Sequence, residues 1–258
     1  MMNIAPIPAF TDNYIWMIQS ENNNQVFVVD PGDAMVVEHT LKANKLELAG
    51  ILVTHHHHDH TGGIKQLIQN RNIPVYSPEN KAISFVTQPV KEGDRVNILG
   101  TSFEVLTTQG HTLDHIVYFT SELKIPALFC GDTLFAGGCG RLFEGSAEQM
   151  HESLTKLGLL PKKTRVYCAH EYTLANLNFA LAVEPHNQKL HQQISRCSDL
   201  RQQNLPTLPS SIGVELNTNP FMRCDQSTVI AAAKHRSSDE IPNASSVLRV
   251  IRAWKDEF

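Results

Sequence analysis

The sequence predicts an α+β chain in which a strand-rich part is followed by a smaller all-helical C-terminal part. Before residue 171, short apolar segments rich in Val, Ile and Phe alternate with turn signals such as Asp30-Pro31-Gly32. After residue 172 the apolar residues recur instead at helical spacing. Because 258 residues are enough for two domains, we predict one domain over residues 1–171 and a second over residues 172–258.

Each predicted element follows from its own local pattern. Strands are predicted where apolar, β-branched runs end at turns or polar residues: 25–29, 48–53, 96–99, 102–106, 116–119, 127–129 and 165–167. Ser146, followed three residues later by Gln149, forms a capping-box pattern, which predicts that a helix begins there. The C-terminal helices are predicted over residues 174–183, 188–203, 227–234 and 245–255.

The composition disfavours several classes of protein. Hydrophobic residues make up 41% of the chain and charged residues 19%, which is typical of a globular protein. The net charge of −4 disfavours a nucleic-acid-binding protein, and no run of about 18 apolar residues predicts a membrane span. The five cysteines form no CxxC pair and the N-terminus lacks a signal-peptide pattern, so we expect a cytoplasmic protein.

The residues from Thr54 to His60 form a histidine-rich segment directly after an apolar predicted strand. Alternate side chains of an extended segment point to one face, so His55 and His57 can reach the same metal ion. Asp59 and His60 come where the chain turns, and they can reach a second ion. Imidazole nitrogen and carboxylate oxygen are suitable ligands for zinc, iron or manganese. The two intervening histidines face the other way and are expected outside the metal site.

Three further ligands are predicted where later apolar segments end. His111 lies in a Gly-His-Thr segment, Asp132 in Gly-Asp-Thr and His170 in Ala-His-Glu. Loops at one end of the strands in a layered α/β fold converge on one site. The seven residues then divide into ligands of one ion (His55, His57 and His111), ligands of a second ion (Asp59, His60 and His170) and a bridging carboxylate (Asp132).

The order of these motifs resembles the metallo-β-lactamase superfamily, whose pattern is THxHxDH, GHT, GDT and a distal histidine. This resemblance covers about residues 1–171 and implies an αββα sandwich, in which two mixed sheets lie face to face with helices outside. The segments FCGDTLF, GGCGRLFEG, AHEYT and NPFMR, with the helical C-terminal third, closely resemble the glyoxalase II (hydroxyacylglutathione hydrolase) family. That second resemblance spans essentially the whole chain.

The resemblance to glyoxalase II implies hydrolysis of S-D-lactoylglutathione, and of related S-2-hydroxyacylglutathiones, to glutathione and D-lactate in methylglyoxal detoxification. It also implies two divalent metal ions per chain, for which we expect zinc, with iron or manganese also compatible. A hydroxide that bridges the two ions would attack the thioester carbonyl. Asp59 and Asp132 are the expected catalytic residues, because Asp59 would orient the hydroxide and Asp132 would fix the spacing of the ions.

The same resemblance implies five residues that bind the glutathione half of the substrate. Arg141, Phe143 and Tyr172 would lie along the pocket, and Phe143 stands where the family often has tyrosine, so one hydroxyl contact would be missing. Arg252 and Lys255 share a face of the last predicted helix and would receive the glycine carboxylate.

Other functions on the same fold make different demands on the sequence. A glutathione persulfide dioxygenase would use one iron, and it would need neither the second set of ligands nor the basic C-terminal pair. A nuclease would carry a basic groove or domain, and a non-catalytic member would show a broken ligand set. We therefore expect a small-molecule substrate, no nucleic-acid or membrane partner, and a monomer.

Overall fold

The structure is a computed structural model that describes residues 2–21, 23–238 and 240–258. Backbone contacts divide the chain into two compact units. The first unit comprises residues 1–107 and 114–131, and the second unit comprises residues 108–113 and 132–258. The domain boundary between residues 171 and 172 stays a prediction.

The first unit contains a six-stranded sheet whose spatial order follows the chain. Its strands are β1 (Met2–Ala9), β2 (Asn13–Ser20), β3 (Gln25–Val29), β4 (Glu47–Leu52), β5 (Val75–Ser77) and β6 (Gln88–Pro89). The strands β1 to β3 pair antiparallel, whereas β3 to β6 pair parallel. Three helices belong to this part of the chain: α1 (Ala34–Asn44), α2 (His58–Thr61) and α3 (Ile64–Ile68).

The elements β1, β2 and α1 are not predicted from the sequence. Pro6 and Pro8 interrupt the apolar run of β1, but β1 is an edge strand, where a missing N–H is tolerated. Helix α1 begins at the turn that follows β3, and Asp33 caps it by accepting the N–H of Met35. Its Val37 belongs to the same hydrophobic core as the buried side chains of β3 and β4.

A second sheet in the first unit contains four antiparallel strands in chain order: β7 (Arg95–Ile98), β8 (Thr101–Thr107), β9 (Ile116–Thr120) and β10 (Ala127–Gly131). Gly100 has a φ of +89°, which allows the tight turn of the predicted hairpin between β7 and β8. Tyr118 of β9 connects the two sheets, because its hydroxyl donates to the carbonyl oxygens of Val53 and Tyr76. Burial raises the pKa of Tyr118 well above its usual value, so the hydroxyl remains a donor.

The second unit is mainly helical. It contains the helices α4 (Ala147–Gly158), α5 (Thr173–Val183), α6 (Gln188–Gln202), α7 (Ile212–Thr218), α8 (Ser227–Arg236) and α9 (Ala244–Glu257). Two short strand pairs complete it: β11 (Leu134–Phe135) with β12 (Gly138–Cys139), and β13 (Arg165–Cys168) with β14 (Ser210–Ser211). The predicted C-terminal helices are confirmed, and so is the capping box between Ser146 and Gln149. Helix α7 is not predicted, because it is short and follows a proline-rich break.

Candidate metal centre and substrate cavity

The first unit brings four of the predicted ligands together. His55 follows β4, and its Nε2 lies 3.0 Å from Nδ1 of His57. Helix α2 begins directly after His57 and carries Asp59 and His60. The Nε2 atom of His60 lies 3.3 Å from Oδ2 of Asp59, and the ring centres of His55 and His60 are 4.1 Å apart. The short helix thus folds the end of the motif back towards its beginning.

Asp30 holds this cluster from behind. Its backbone is left-handed, with a φ of +55°, and its buried carboxylate accepts the N–H and the hydroxyl of Thr54 at 2.7 and 2.8 Å. The same carboxylate lies 3.1 Å from Nδ1 of His60. A carboxylate on one ring nitrogen fixes the orientation of a histidine and directs its other nitrogen to a metal. Asp30 therefore positions a predicted ligand.

The second unit brings the other three predicted ligands together. Asp132 lies between two histidines: its Oδ2 is 3.5 Å from Nε2 of His111, and its Oδ1 is 3.4 Å from Nε2 of His170. All three side chains are buried. A carboxylate whose two oxygens face different histidines has the arrangement expected of a bridging metal ligand.

Backbone groups and aromatic rings fix the two histidines. The Nδ1 atom of His111 is 2.8 Å from the carbonyl oxygen of Arg141, and the ring of His170 stacks on Tyr172 with centroids 4.7 Å apart. Gly140 is required in this loop, because a Cβ there would lie 2.1 Å from the carbonyl oxygen of Asp132. These contacts leave the Nε2 atoms directed at the Asp132 carboxylate.

The donor set fits divalent metal ions. Each of the seven predicted ligands belongs to a group of histidine and aspartate side chains that could hold a metal ion. Nitrogen and oxygen donors of this kind suit zinc, iron and manganese, and the set contains no thiolate. The second-unit cluster also offers a carboxylate whose two oxygens face different histidines, which would suit two neighbouring ions.

A cavity of about 530 Å³ lies in the second unit beside the His111 and Asp132 side chains. All five predicted substrate residues line it: Arg141, Phe143, Tyr172, Arg252 and Lys255. The cavity therefore joins two predicted metal ligands to three cationic side chains.

The basic side chains of the cavity differ in how firmly they are held. Arg252 is buried, and its Nη1 donates to the carbonyl oxygen of Cys139 at 2.9 Å while its guanidinium covers the ring of Phe221. Lys255 donates to the carbonyl oxygen of Ala175 at 3.3 Å. Burial lowers the pKa of Lys255, with a further contribution from the nearby charge of Arg252.

Two other lining residues are more open to solvent. The side chain of Arg141 is 62% exposed, and Phe143 is 63% exposed. The Phe143 ring contacts His111 edge to face, with centroids 5.3 Å apart. A bound molecule could therefore lie between the buried cation Arg252 and an exposed aromatic ring.

Comparison with known proteins identifies the family. The model of the metallo-β-lactamase superfamily matches residues 9–170, and the model of the hydroxyacylglutathione hydrolase C-terminus matches residues 171–258. The hydroxyacylglutathione hydrolase of Hahella chejuensis is 51% identical over 258 residues, with 100% of both chains covered. That of Pseudomonas aeruginosa is 49% identical over 259 residues, again with 100% of both chains covered. The chain belongs to the hydroxyacylglutathione hydrolase family.

Solved structures support the fold of this hydroxyacylglutathione hydrolase family member. ETHE1 from Myxococcus xanthus matches with a TM-score of 0.65 at 24% identity, and the match covers 99% of this chain and 98% of that one. The BLEG-1 B3 metallo-β-lactamase matches with a TM-score of 0.63 at 22% identity, over 86% of this chain and 99% of that one. The predicted αββα sandwich with a helical C-terminal part is thus confirmed. Within the described residues, no helix is long and apolar enough to cross a membrane.

Several residues around the ligands of this family member were missed in the sequence. Asn13 donates from Nδ2 to Oδ2 of Asp59 at 3.0 Å, and the ring of His115 stacks on His55 with centroids 4.7 Å apart. Neither residue carries a local signal, since Asn13 lies in a strand far away along the chain. The histidine that follows His55 turns its Nδ1 atom to the Asp114 carboxylate, 3.0 Å away.

Proposed function

We propose that this protein hydrolyses S-D-lactoylglutathione, and related S-2-hydroxyacylglutathiones, to glutathione and the free hydroxy acid. The observation that carries the proposal is the composition of the cavity. Two predicted metal ligands, His111 and Asp132, line it together with three cationic side chains: Arg141, Arg252 and Lys255. Such a cavity suits a substrate with a reactive thioester and an anionic tail. The name of the full-length relatives at about half identity supports the same substrate.

We further propose that the two ligand clusters together hold two divalent metal ions, with zinc as the expected metal. His55, His57 and His111 would bind one ion, Asp59, His60 and His170 the other, and Asp132 would bridge them. When bound, the ions would supply a nucleophilic water at neutral pH and stabilise the charge that develops on the carbonyl oxygen.

The protein's own residues orient this chemistry. We assign Asp59 the orientation of the attacking water, and Asn13 holds its carboxylate by donating to Oδ2. The leaving group is a thiolate whose conjugate thiol has a pKa of about 8.5, so it needs little help from a protein acid.

No cysteine is assigned as a nucleophile in this reaction. All five cysteines are buried. Burial raises the pKa of Cys197 to about 11 and that of Cys168 further still, so neither forms a thiolate near neutral pH. Hydrolysis by activated water therefore suits the chain better than an acyl-enzyme route.

The glutathione half would bind along the cavity. We propose that Lys255 and Arg252 receive its glycine carboxylate, that Arg141 adds a third cation, and that Tyr172 and Phe143 contact the peptide. Tyr172 also packs on His170, so it would connect the peptide-binding wall to the metal ligands.

The persulfide dioxygenase alternative is not favoured, because the relatives that match this chain over their full length are named hydrolases. The buried cysteines, none of which forms a disulfide in the described part of the chain, support a cytoplasmic location. That location remains part of the proposal, together with the monomeric state and the lack of nucleic-acid partners.

The decisive experiment measures thiol release from S-D-lactoylglutathione by zinc-loaded protein, before and after chelation. We expect rapid release that chelation abolishes and added metal restores. The matched control substrate is the D-lactoyl thioester of N-acetylcysteamine, which has the same reacting bond but no carboxylates. Equal kcat/KM for both thioesters would contradict glutathione recognition, and no release from protein loaded with two metal ions would contradict the hydrolase proposal.

A further inference from the structure

Two acidic side chains line the substrate cavity, and only one of them has a role in the proposed reaction. Asp132 lies beside the histidines, whereas Asp256 lies beside the cations near the end of α9. The Oδ1 atom of Asp256 accepts from Nη2 of Arg252 at 3.0 Å and lies 3.2 Å from Nε of Arg141. A single carboxylate oxygen therefore connects a buried and an exposed guanidinium.

Asp256 lies where a carboxylate of the substrate would contact Arg252. Arg252 is anchored on its other side by the Cys139 carbonyl oxygen and the Phe221 ring, so Nη2 is the edge that it turns towards Asp256. Charged N–H groups of arginine bind carboxylates in this way whether the carboxylate belongs to the protein or to a ligand. A carboxylate of the substrate would approach the same N–H groups.

From this geometry we infer that Asp256 is an internal competitor for the carboxylate site of the substrate cavity, and that it limits the affinity for glutathione and its thioesters. This inference rests on the proposed function. In the free protein, Asp256 occupies the two arginines and lowers the net positive charge of the cavity. A bound glutathione carboxylate must share or replace that contact, so substrate and product both bind less tightly than three cations alone would allow.

Asp256 can release the two arginines when a carboxylate of the substrate binds. Its side chain is 40% exposed, so the carboxylate can turn towards solvent, and its second contact, with Arg141, is an exposed ion pair that contributes little free energy. The charge of Asp256 also favours the protonated form of Lys255, against the effects of burial and the two arginines, which lower the pKa of Lys255. The carboxylate is thus coupled to all three cations of the cavity.

The test compares Asp256→Asn with Glu257→Gln. The asparagine side chain keeps an oxygen that can accept from Arg252 but has no charge. Glu257 is the neighbouring acid on α9, it pairs with Arg236 and it does not line the cavity, so its substitution removes the same charge elsewhere. Asp256→Ser serves as a second variant that also lacks the carboxylate.

Binding of glutathione and of its glycine ethyl ester is measured by calorimetry on zinc-loaded protein, alongside KM for the thioester. We expect Asp256→Asn to lower Kd for glutathione and KM for the thioester about two- to fivefold, the scale of an exposed ion pair. Affinity for the ethyl ester should stay constant, because the competing ligand carboxylate is absent. Glu257→Gln should change neither.

Four outcomes would overturn the inference. A higher Kd in Asp256→Asn would make Asp256 an organiser of the arginines, and equal gains for glutathione and its ester would show that no carboxylate competes. If the wild-type protein hydrolyses the thioester but Asp256→Asn binds glutathione with unchanged affinity, the role of Asp256 as a competitor is refuted. The proposed function then stands. Wild-type protein with neither hydrolysis nor glutathione binding would refute the proposed function and the competitor together.

Discussion

The ligand clusters and the wall of the substrate cavity are built in different ways. The side chains of His55, His60 and Asp132 are buried, whereas Arg141 and Phe143 are each more than 60% exposed. Each cluster is fixed by further hydrogen bonds, such as that of Asp30 to Thr54. The comparison teaches that the reacting centre tolerates little change, while recognition of the peptide rests on side chains that can be altered without disturbing the fold.

The largest effect is expected for Asp132→Ala. Loss of residues that merely support metal ligands costs about 10- to 100-fold in metal affinity or activity, so loss of a bridging ligand should cost at least about 100-fold. Metal content per chain and thioesterase kcat should both fall. The exposed Asp225→Ala substitution in the same unit is the control. A variant that retained two metal ions and the full rate would contradict the bridging assignment.

A smaller effect is expected for Asp30→Asn, because Asp30 acts on the metal only through His60 and Thr54. Affinity for zinc should fall about 10- to 100-fold, as seen when a carboxylate behind a ligating histidine is removed. Titration with a competing chelator measures this loss. Asp33→Asn removes a nearby carboxylate that only caps α1, and it should leave zinc affinity unchanged. Equal zinc affinities for both variants would remove Asp30 from the metal centre.

The two clusters also differ in how far the sequence predicts them. His55, His57, Asp59 and His60 are adjacent in the chain, so a spacing argument finds them directly. His111 is one of a few histidines that follow an apolar strand, and only the combination of such positions indicates a site.

The residues that support the ligands are less predictable for a physical reason. Asp30 could be suggested because it ends a strand at a turn, but Asn13 and His115 contribute through tertiary contacts that leave no periodic pattern. The edge strand β1 was missed for a similar reason. Its prolines break the apolar run, and they are tolerated because, in the part of the chain that the structure describes, β1 lies at the edge of its sheet. Local sequence patterns therefore predict the metal ligands, whereas the residues that support those ligands are determined by tertiary packing.

On the cavity wall, Lys255→Met should raise KM more than it lowers kcat. Loss of a hydrogen bond to a charged group predicts an increase in KM of about tenfold or more. The exposed Lys234→Met on α8 is the control. The double variant Arg252→Ala/Lys255→Ala should raise KM further, and an unchanged KM in it would place the glutathione site elsewhere.

The pH dependence of KM also tests whether Lys255 binds the carboxylate. Burial lowers the pKa of Lys255 below its usual value of 10.5, so the protonated form is lost at a less alkaline pH than for a free lysine. Because the protonated form would bind the carboxylate, KM should rise as the pH passes upward through this lowered pKa. Lys255→Met should lack that rise, and a rise that persisted in the variant would assign it to another group.

The smallest effect is expected for Phe143→Tyr, which adds the hydroxyl that the resemblance to glyoxalase II predicts at this position. The ring is 63% exposed, so an added hydroxyl costs no burial of an unpaired polar group, and one hydrogen bond to the peptide should lower KM about two- to tenfold. The kcat should stay constant, since the aromatic ring and its T-shaped contact with His111 are retained. Phe85→Tyr, at a half-exposed ring in the first unit, is the matched control for adding a surface hydroxyl. A change of kcat instead of KM in Phe143→Tyr would mean that Phe143 affects the metal ligands as well as the peptide. The distinction between a fixed metal centre and a cavity wall that can be altered freely would then be wrong for this residue.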